Sequence, residues 1–350
     1  MTMAMVETRP VTGVTGGVDT HLDTHVAAAL DQLGGQLGVE SFPANPRGYQ
    51  ELLDWLGSFG AVQLVGVEGT GSYGAGLARH LRRAGVAVVE VDRPNRQDRH
   101  RHGKSDAIDA VAAAHAALSG RAQGAGKHGD GPVEAIRALT VVKRSCREER
   151  IRTRNQIRQL AFCAPDELRE ATKDLSRSRL AAEAARWRPR PGGDVVLYAT
   201  RLAMTTLGRR VQALEAEAAR IDELLVPLVE QTAPSLLDLL GVGPDTAAIL
   251  LVAAGDNPQR IRSEAAWAHL CGVAPIPAST GKTSRRRLNR GGNRQANHAL
   301  YRIVITRIRY DARTHDYVER HLAAGRPKPE IIRSLKRYIA REVYRHLPRH

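Results

Sequence analysis

The chain is poor in cysteine, in aromatic residues and in acids. Cys146, Cys163 and Cys271 are odd in number and far apart, which fits neither a disulfide framework nor a zinc ligand set, so they read as reduced and structural. Aromatic side chains make up only 4% of the residues, yet 42% are hydrophobic, enough to bury a substantial core. No apolar run reaches the roughly 18 residues that a membrane span requires, and Met1 to Pro10 lack the basic head and apolar core of a secretory leader. The sequence therefore predicts a soluble, cytosolic (cytoplasmic) protein. Acids are outnumbered: 37 Asp and Glu face 52 Lys and Arg, for a formal charge of +15. Such an excess points to a polyanionic partner, since every phosphate neutralised releases counterions, but it leaves the activity open.

What is present falls into stretches of different character. Strand-like runs at Gly17 to Thr20, Thr24 to Leu30, Val62 to Val67 and Val86 to Val91, with a helix from Ala75 to Arg83, form an α/β pattern. Ser105 can cap a helix running to about Leu118, and the glycine-rich stretch Gly120 to Gly131 reads as a linker. Beyond Pro132 the pattern is helical. Arg137, Lys143, Arg144, Arg147, Arg150, Arg152, Arg154 and Arg158 meet only Glu148 and Glu149, as on a nucleic-acid-binding or solvated helix. Leu207, Val211, Leu214, Ala218, Ile221, Leu225 and Leu228 form a heptad seam, either a helical hairpin within the chain or a coiled-coil contact between chains. Gly241-Val242-Gly243-Pro244 joins two apolar helical runs, as a helix-hairpin-helix element or a plain turn would. Three domains are expected: 1–125 α/β, 126–235 basic and coiled-coil, and 236–350 carrying the C-terminal motifs.

Two constellations carry chemistry. Asp19 lies in an apolar strand-like context, Glu68 ends an apolar strand, and Asp106 and Asp109 share one face at a helix start. Four oxygen donors so placed suit a hard cation such as Mg²⁺, although each alone has an ordinary structural explanation. The second constellation is Ala274-Pro275-Ile276-Pro277-Ala278-Ser279-Thr280-Gly281-Lys282, followed by Arg285, Arg286, Arg287, Arg290 and Arg294 without an intervening acid. A hydroxyl beside that many cations could attack a phosphodiester, or the segment could be only a basic surface loop. A competing signal is Gly69-Thr70-Gly71-Ser72-Tyr73-Gly74, a G-x-G-x-x-G between strand and helix, with Asp92 standing where a ribose-binding acid would. It keeps a dinucleotide-dependent dehydrogenase open. A junction nuclease using the acids alone and a non-catalytic nucleic-acid binder are equally compatible with these residues.

Gly17-Val18-Asp19-Thr20-His21-Leu22-Asp23, Val67-Glu68-Gly69, Lys104-Ser105-Asp106-Ala107-Ile108-Asp109 and the serine block with Arg287-Leu288-Asn289-Arg290-Gly291-Gly292-Asn293-Arg294 together resemble the IS-one-ten family of insertion-sequence transposases, the bridge-RNA-guided recombinases. The resemblance implies an α/β RuvC-like (RNase H-like) N-terminal domain followed by mostly α-helical middle and C-terminal domains with a coiled coil. It implies Asp19, Glu68, Asp106 and Asp109 as Mg²⁺ ligands and Ser279 as nucleophile. Lys282, Arg285, Arg286, Arg287, Arg290, Arg294, Lys143, Arg144 and Arg147 are the residues expected to contact nucleic acid. Donor and target DNA and a guide RNA are the implied partners, and a homo-oligomer, dimer or tetramer, is expected; the heptad segment suggests, as a hypothesis, a coiled coil that brings one subunit's serine to another's acids. Thr280 stands where relatives often carry a second serine, and Leu22 where they often carry a basic residue.

Overall fold

The computed structural model describes residues 13–91, 105–122, 124–279 and 286–348. These residues divide into two compact units: the chain up to Gly131 together with Gly255–Arg262, and Pro132–Ala254 together with Ser263–Pro348. Residues 92–104 and 280–285 lie outside the described residues, and with them Asp92, Lys104, Thr280, Lys282 and Arg285.

The first unit is a five-stranded mixed sheet. Strands β1 (Val14–Thr20), β2 (Thr24–Leu30) and β3 (Gln36–Pro43) form an antiparallel meander, while β4 (Val62–Glu68) and β5 (Ala87–Val91) add in parallel on the other side of β1, giving the order β3-β2-β1-β4-β5. Helix α1 (Pro46–Ser58) connects β3 to β4 and α2 (Ala75–Arg83) connects β4 to β5. All seven residues of β1 are buried, as a central strand covered on both faces requires. On one face, Val14, Val18, Val65 and Val67 pack with Leu52 and Leu56 of α1 and Leu77 and Leu81 of α2. On the other lies α3 (Asp106–Leu118), an alanine-rich helix capped by the Ser105 hydroxyl, which accepts from the Ile108 amide at 3.3 Å.

The strand and helix patterns of the sequence do not reveal β3 or α1. β3 is an edge strand of mixed polarity, and α1 starts at Asn45-Pro46, where the Asn45 side chain accepts from the Gly48 amide. The Gly120 to Gly131 stretch is no free linker. The Glu90 amide donates to the Gly124 carbonyl, Arg79 donates to the Gly129 carbonyl and Arg82 to those of Lys127 and His128, so it is strapped to the first unit. Asn257, from the returning segment 255–262, donates to the Gly126 carbonyl at 3.0 Å.

The second unit is helical: α4 (Pro132–Phe162), α5 (Asp166–Thr172), α6 (Arg177–Arg186), α7 (Val195–Thr232), α8 (Pro234–Leu237), α9 (Pro244–Ala254), α10 (Glu264–Leu270), α11 (Arg294–Tyr310), α12 (Ala312–Ala323) and α13 (Lys328–His346). A two-stranded ribbon of β6 (Ile276–Pro277) and β7 (Arg286–Arg287) sits between α10 and α11. α4 and α7 form a long antiparallel hairpin, with Arg154 paired to Glu215 and Lys143 to Asp222. Within the heptad seam Val211 and Leu225 are buried, and Val211 packs in one cluster with Ile157, Leu180 and Met204. The seam is thus realised as a hairpin inside the chain. α6 crosses α7 at Gly208, where a methyl group would meet the Ala185 backbone nitrogen at 2.6 Å. Gly241 takes a left-handed φ of 85° and turns against Ile303, with only the single turn α8 before it. Among the described residues no helix is long and apolar enough to cross a membrane.

Candidate metal centre and basic surface

Gly17 and Gly66 are register partners on the neighbouring strands β1 and β4, and both face α3. A Cβ on Gly17 would lie 2.4 Å from the Ala110 carbonyl oxygen, and one on Gly66 would lie 2.8 Å from that of Ala113. Without side chains at this pair, α3 settles directly onto the sheet. Strand alternation then puts Asp19, two residues beyond Gly17, and Glu68, two beyond Gly66, on this same face beside the start of α3. There Asp106 and Asp109 stand in its first turn.

The four acids differ in setting. Asp19 and Asp109 are buried, at 6% and 8% exposed, whereas the Asp106 side chain is about half exposed. Thr20 fixes the end of β4 by donating from Oγ1 to the Glu68 carbonyl at 2.8 Å. His21, just past β1, turns its Nε2 to Asp19 Oδ2 at 3.1 Å and to Asp106 Oδ1 at 3.4 Å. Burial raises the Asp19 carboxyl above the usual carboxylate range; His21 pulls it down, and Asp109 and Asp106 push it up. No hydrogen bond or ion pair among the described residues reaches the Asp109 side chain. Its carboxylate oxygens lie buried beside Asp19, where a bound cation could take them as ligands. Asp19, His21 and Asp106 present ligand atoms within 4.8 Å of one another.

The glycine loop after β4 serves this same strand end. Gly69 takes a φ of 66°, a methyl on Gly74 would meet the Glu68 carbonyl at 2.8 Å, and Gly71 has open space around it. A dinucleotide fingerprint needs a doubly wound parallel sheet, and β1, β2 and β3 run antiparallel here. The dehydrogenase reading is therefore set aside.

The second constellation forms the β6–β7 ribbon. Ser279 lies two residues past β6, exposed, on the connection to β7, whose Arg286 and Arg287 are exposed too. Arg290 and Arg294 are likewise exposed. An asparagine series underpins the ribbon: Asn289 donates to the His269 carbonyl, Asn293 caps α11, and Asn297 donates to the Cys271 carbonyl at 2.9 Å. The Asn297 oxygen accepts from Lys336 Nζ at 2.8 Å. Gly292 approaches Gly272 so closely that a methyl there would meet its nitrogen at 2.3 Å.

Comparison with known proteins matches residues 16–161 to the DEDD model of IS110, described as "Transposase", and residues 233–319 to "Transposase IS116/IS110/IS902 family". The chain belongs to the IS110 family of insertion-sequence transposases. The first match spans the four acids and identifies the sheet of the first unit as RuvC-like; the second spans the serine ribbon. A similar curated protein is the "Insertion element IS110 uncharacterized 43.6 kDa protein" of Streptomyces coelicolor, 30% identical over 145 residues. That match covers 41% of this chain and 34%, about a third, of the relative.

In this IS110-family chain, the basic residues of α4 and α11 border one open groove of about 770 Å³ within the second unit. Arg144, Arg147 and Arg294 line it, joined by Arg302 and His298, over an apolar floor that includes Leu214 and Ala248. Lys143 lies in the same groove but its ammonium bonds Asp222 and Asp245. Burial opposes its charge, and the two carboxylates more than offset that, raising its pKa. Lys143 thus joins α4, α7 and α9.

Sequence reasoning passed over His21, Arg302, His298, Asn297 and Lys336. A legible signal existed only for His21, whose D-x-H spacing from Asp19 repeats the strand period.

Proposed function

We propose that the protein is a DNA transposase that cuts and rejoins strands through a covalent phosphoserine link. One observation carries the reading: Asp19, Asp106 and Asp109 converge at one sheet end of a chain that matches transposase models over both its acidic and its serine segments. Asp19, Glu68, Asp106 and Asp109 would hold Mg²⁺, which when bound neutralises phosphate charge and lowers the pKa of a coordinated hydroxyl or water. The Ser279 Oγ attacks a backbone phosphorus; the Oγ–P bond forms, the bond to one DNA oxygen breaks, and that oxygen leaves as a hydroxyl after taking a proton. A DNA hydroxyl then attacks the same phosphorus and returns the serine.

Arg286, Arg287, Arg290 and Arg294, with Lys282 and Arg285 of the same segment, would bind the phosphates flanking the break, and Arg144 and Arg147 would bind nucleic-acid backbone along the groove. A guide RNA would choose the sequence, in keeping with arginine-rich, backbone-directed binding. The acids and the hydroxyl must act on one phosphate. Mixing Asp106→Ala with Ser279→Ala protein asks whether two copies in an oligomer supply them: recovered activity supports a composite site, and no recovery at any ratio counts against it.

The test of the chemistry is incubation with guide RNA, Mg²⁺ and nicked cognate DNA, followed by denaturing electrophoresis. A protein–DNA adduct is expected from the wild type and from Thr280→Ala, and none from Ser279→Ala. Cleavage that survives Ser279→Ala but is lost in Asp19→Asn would instead favour a junction nuclease working through the acids alone.

A further inference from the structure

His21 does more than flank the acids. Its Nε2 faces Asp19 Oδ2 at 3.1 Å and Asp106 Oδ1 at 3.4 Å, and these contacts join the end of a strand to the start of a helix that is remote in sequence. Neighbouring ligands of an octahedral ion with bonds of about 2.1 Å stand about 3.0 Å apart, close to both separations. A ring nitrogen used only as a hydrogen-bond donor satisfies one carboxylate well, whereas two carboxylates and a lone pair converging at this spacing outline ligand positions around a common point. The buried Asp109 carboxylate, with no hydrogen bond or ion pair among the described residues, adds a further oxygen donor beside them.

We infer that His21 is an inner-sphere nitrogen ligand of the acidic metal centre, and that it shifts the centre's preference from Mg²⁺ toward Mn²⁺. The inference rests on the metal centre proposed above. An all-oxygen set suits Mg²⁺, which demands hard ligands and gives up water reluctantly; one imidazole in the set favours ions that accept nitrogen. Nδ1 is not needed for these contacts, so Nε2 can present its lone pair with the proton on the other nitrogen. The His21 side chain is 40% exposed, and its replacement leaves the core intact.

The experiment uses the full chain stripped of metal and titrated with MnCl₂ alone, read by pulsed electron paramagnetic resonance for nitrogen coupling to bound Mn²⁺. The wild type is expected to show coupling from a directly bound imidazole nitrogen. His21→Gln should lose that coupling, still bind Mn²⁺ at about tenfold lower affinity, and lose less affinity for Mg²⁺. Asp19→Ala serves as the control in which binding at this site disappears. Mn²⁺ bound in an Asp19-dependent manner without nitrogen coupling, or with coupling that survives His21→Gln, overturns the role of His21 and leaves the acidic centre standing. Absence of any Asp19-dependent Mn²⁺ binding overturns both.

Discussion

Gly17 lies against Ala114 so tightly that a methyl group on its Cα would sit 2.0 Å from the Ala114 backbone nitrogen. Backbone on both sides leaves nothing flexible to give way. Gly17→Ala must lift α3 from the sheet, and is expected to destabilise the protein by about 3 kcal/mol, the upper end for overpacking. Gly71→Ala, with nothing within 4 Å, is the matched control and should stay within about 0.5 kcal/mol. Urea denaturation of both variants measures the contrast; equal effects would remove the close approach as the reason for glycine at 17.

Burial disfavours the charged form of Asp19. Its raised pKa means that ionisation costs the folded, metal-free state stability once pH climbs through that value. Asp19→Asn is therefore expected to raise the melting temperature of metal-free protein at neutral pH. The same variant should gain nothing from Mg²⁺, while wild type at 100 times its Kd gains about 2.7 kcal/mol. Thermal melts with and without Mg²⁺ check both halves.

His25 supplies the pH dependence. It is wholly buried on β2, its ring stacked on Tyr49 at 5.6 Å, with Nδ1 bonded to the Thr24 carbonyl and Nε2 without a hydrogen-bond partner among the described residues. His21 lies within electrostatic range and the His80 ring packs against Tyr49 at 6.1 Å. Burial lowers its pKa from the usual 6.5, so its contribution is complete above that value and is lost as pH falls toward the folded pKa. Unfolding midpoints measured from about pH 7.5 to about 5.5 should decline. His25→Phe should flatten that decline; an unchanged slope would assign it to other groups.

Asn297 supports the turn that leads into the serine ribbon. Through one amide it joins the turn after α10 at Cys271 and Gly272 to Lys336 on α13. Asn297→Ala leaves these part-buried groups without their partner and is expected to cost about 1–3 kcal/mol, with reduced adduct formation by an intact Ser279. Ser279→Ala, at an exposed position, should leave the melting temperature unchanged. Calorimetry of the two proteins separates support of the ribbon from chemistry on it.

The thiols should divide sharply. Cys163 is exposed, whereas Cys146 and Cys271 are buried, and burial pushes the Cys271 thiol far above its ordinary value. A maleimide probe at neutral pH is expected to label Cys163 alone in the native protein and all three after denaturation. Mass spectrometry of the digested product reads the sites, and native labelling of Cys271 would contradict this packing.

Local order was legible in the sequence wherever a short pattern enforces it. Strand-like apolar runs marked β1, β2 and β4, Ser105 marked the start of α3, and the three-residue step put Asp106 and Asp109 on one face, because each depends only on neighbours along the chain. The spacing of motifs was enough for the family. What only tertiary structure decided was every pairing between distant segments: Gly17 beside Gly66 and under α3, His21 between a strand acid and a helix acid, and residues 124–129 strapped onto α2 and β5. The heptad seam shows why, since its period specifies an apolar stripe but not its partner. That choice is made by whichever surface buries the most apolar area, and here it is the chain's own α4 and α6.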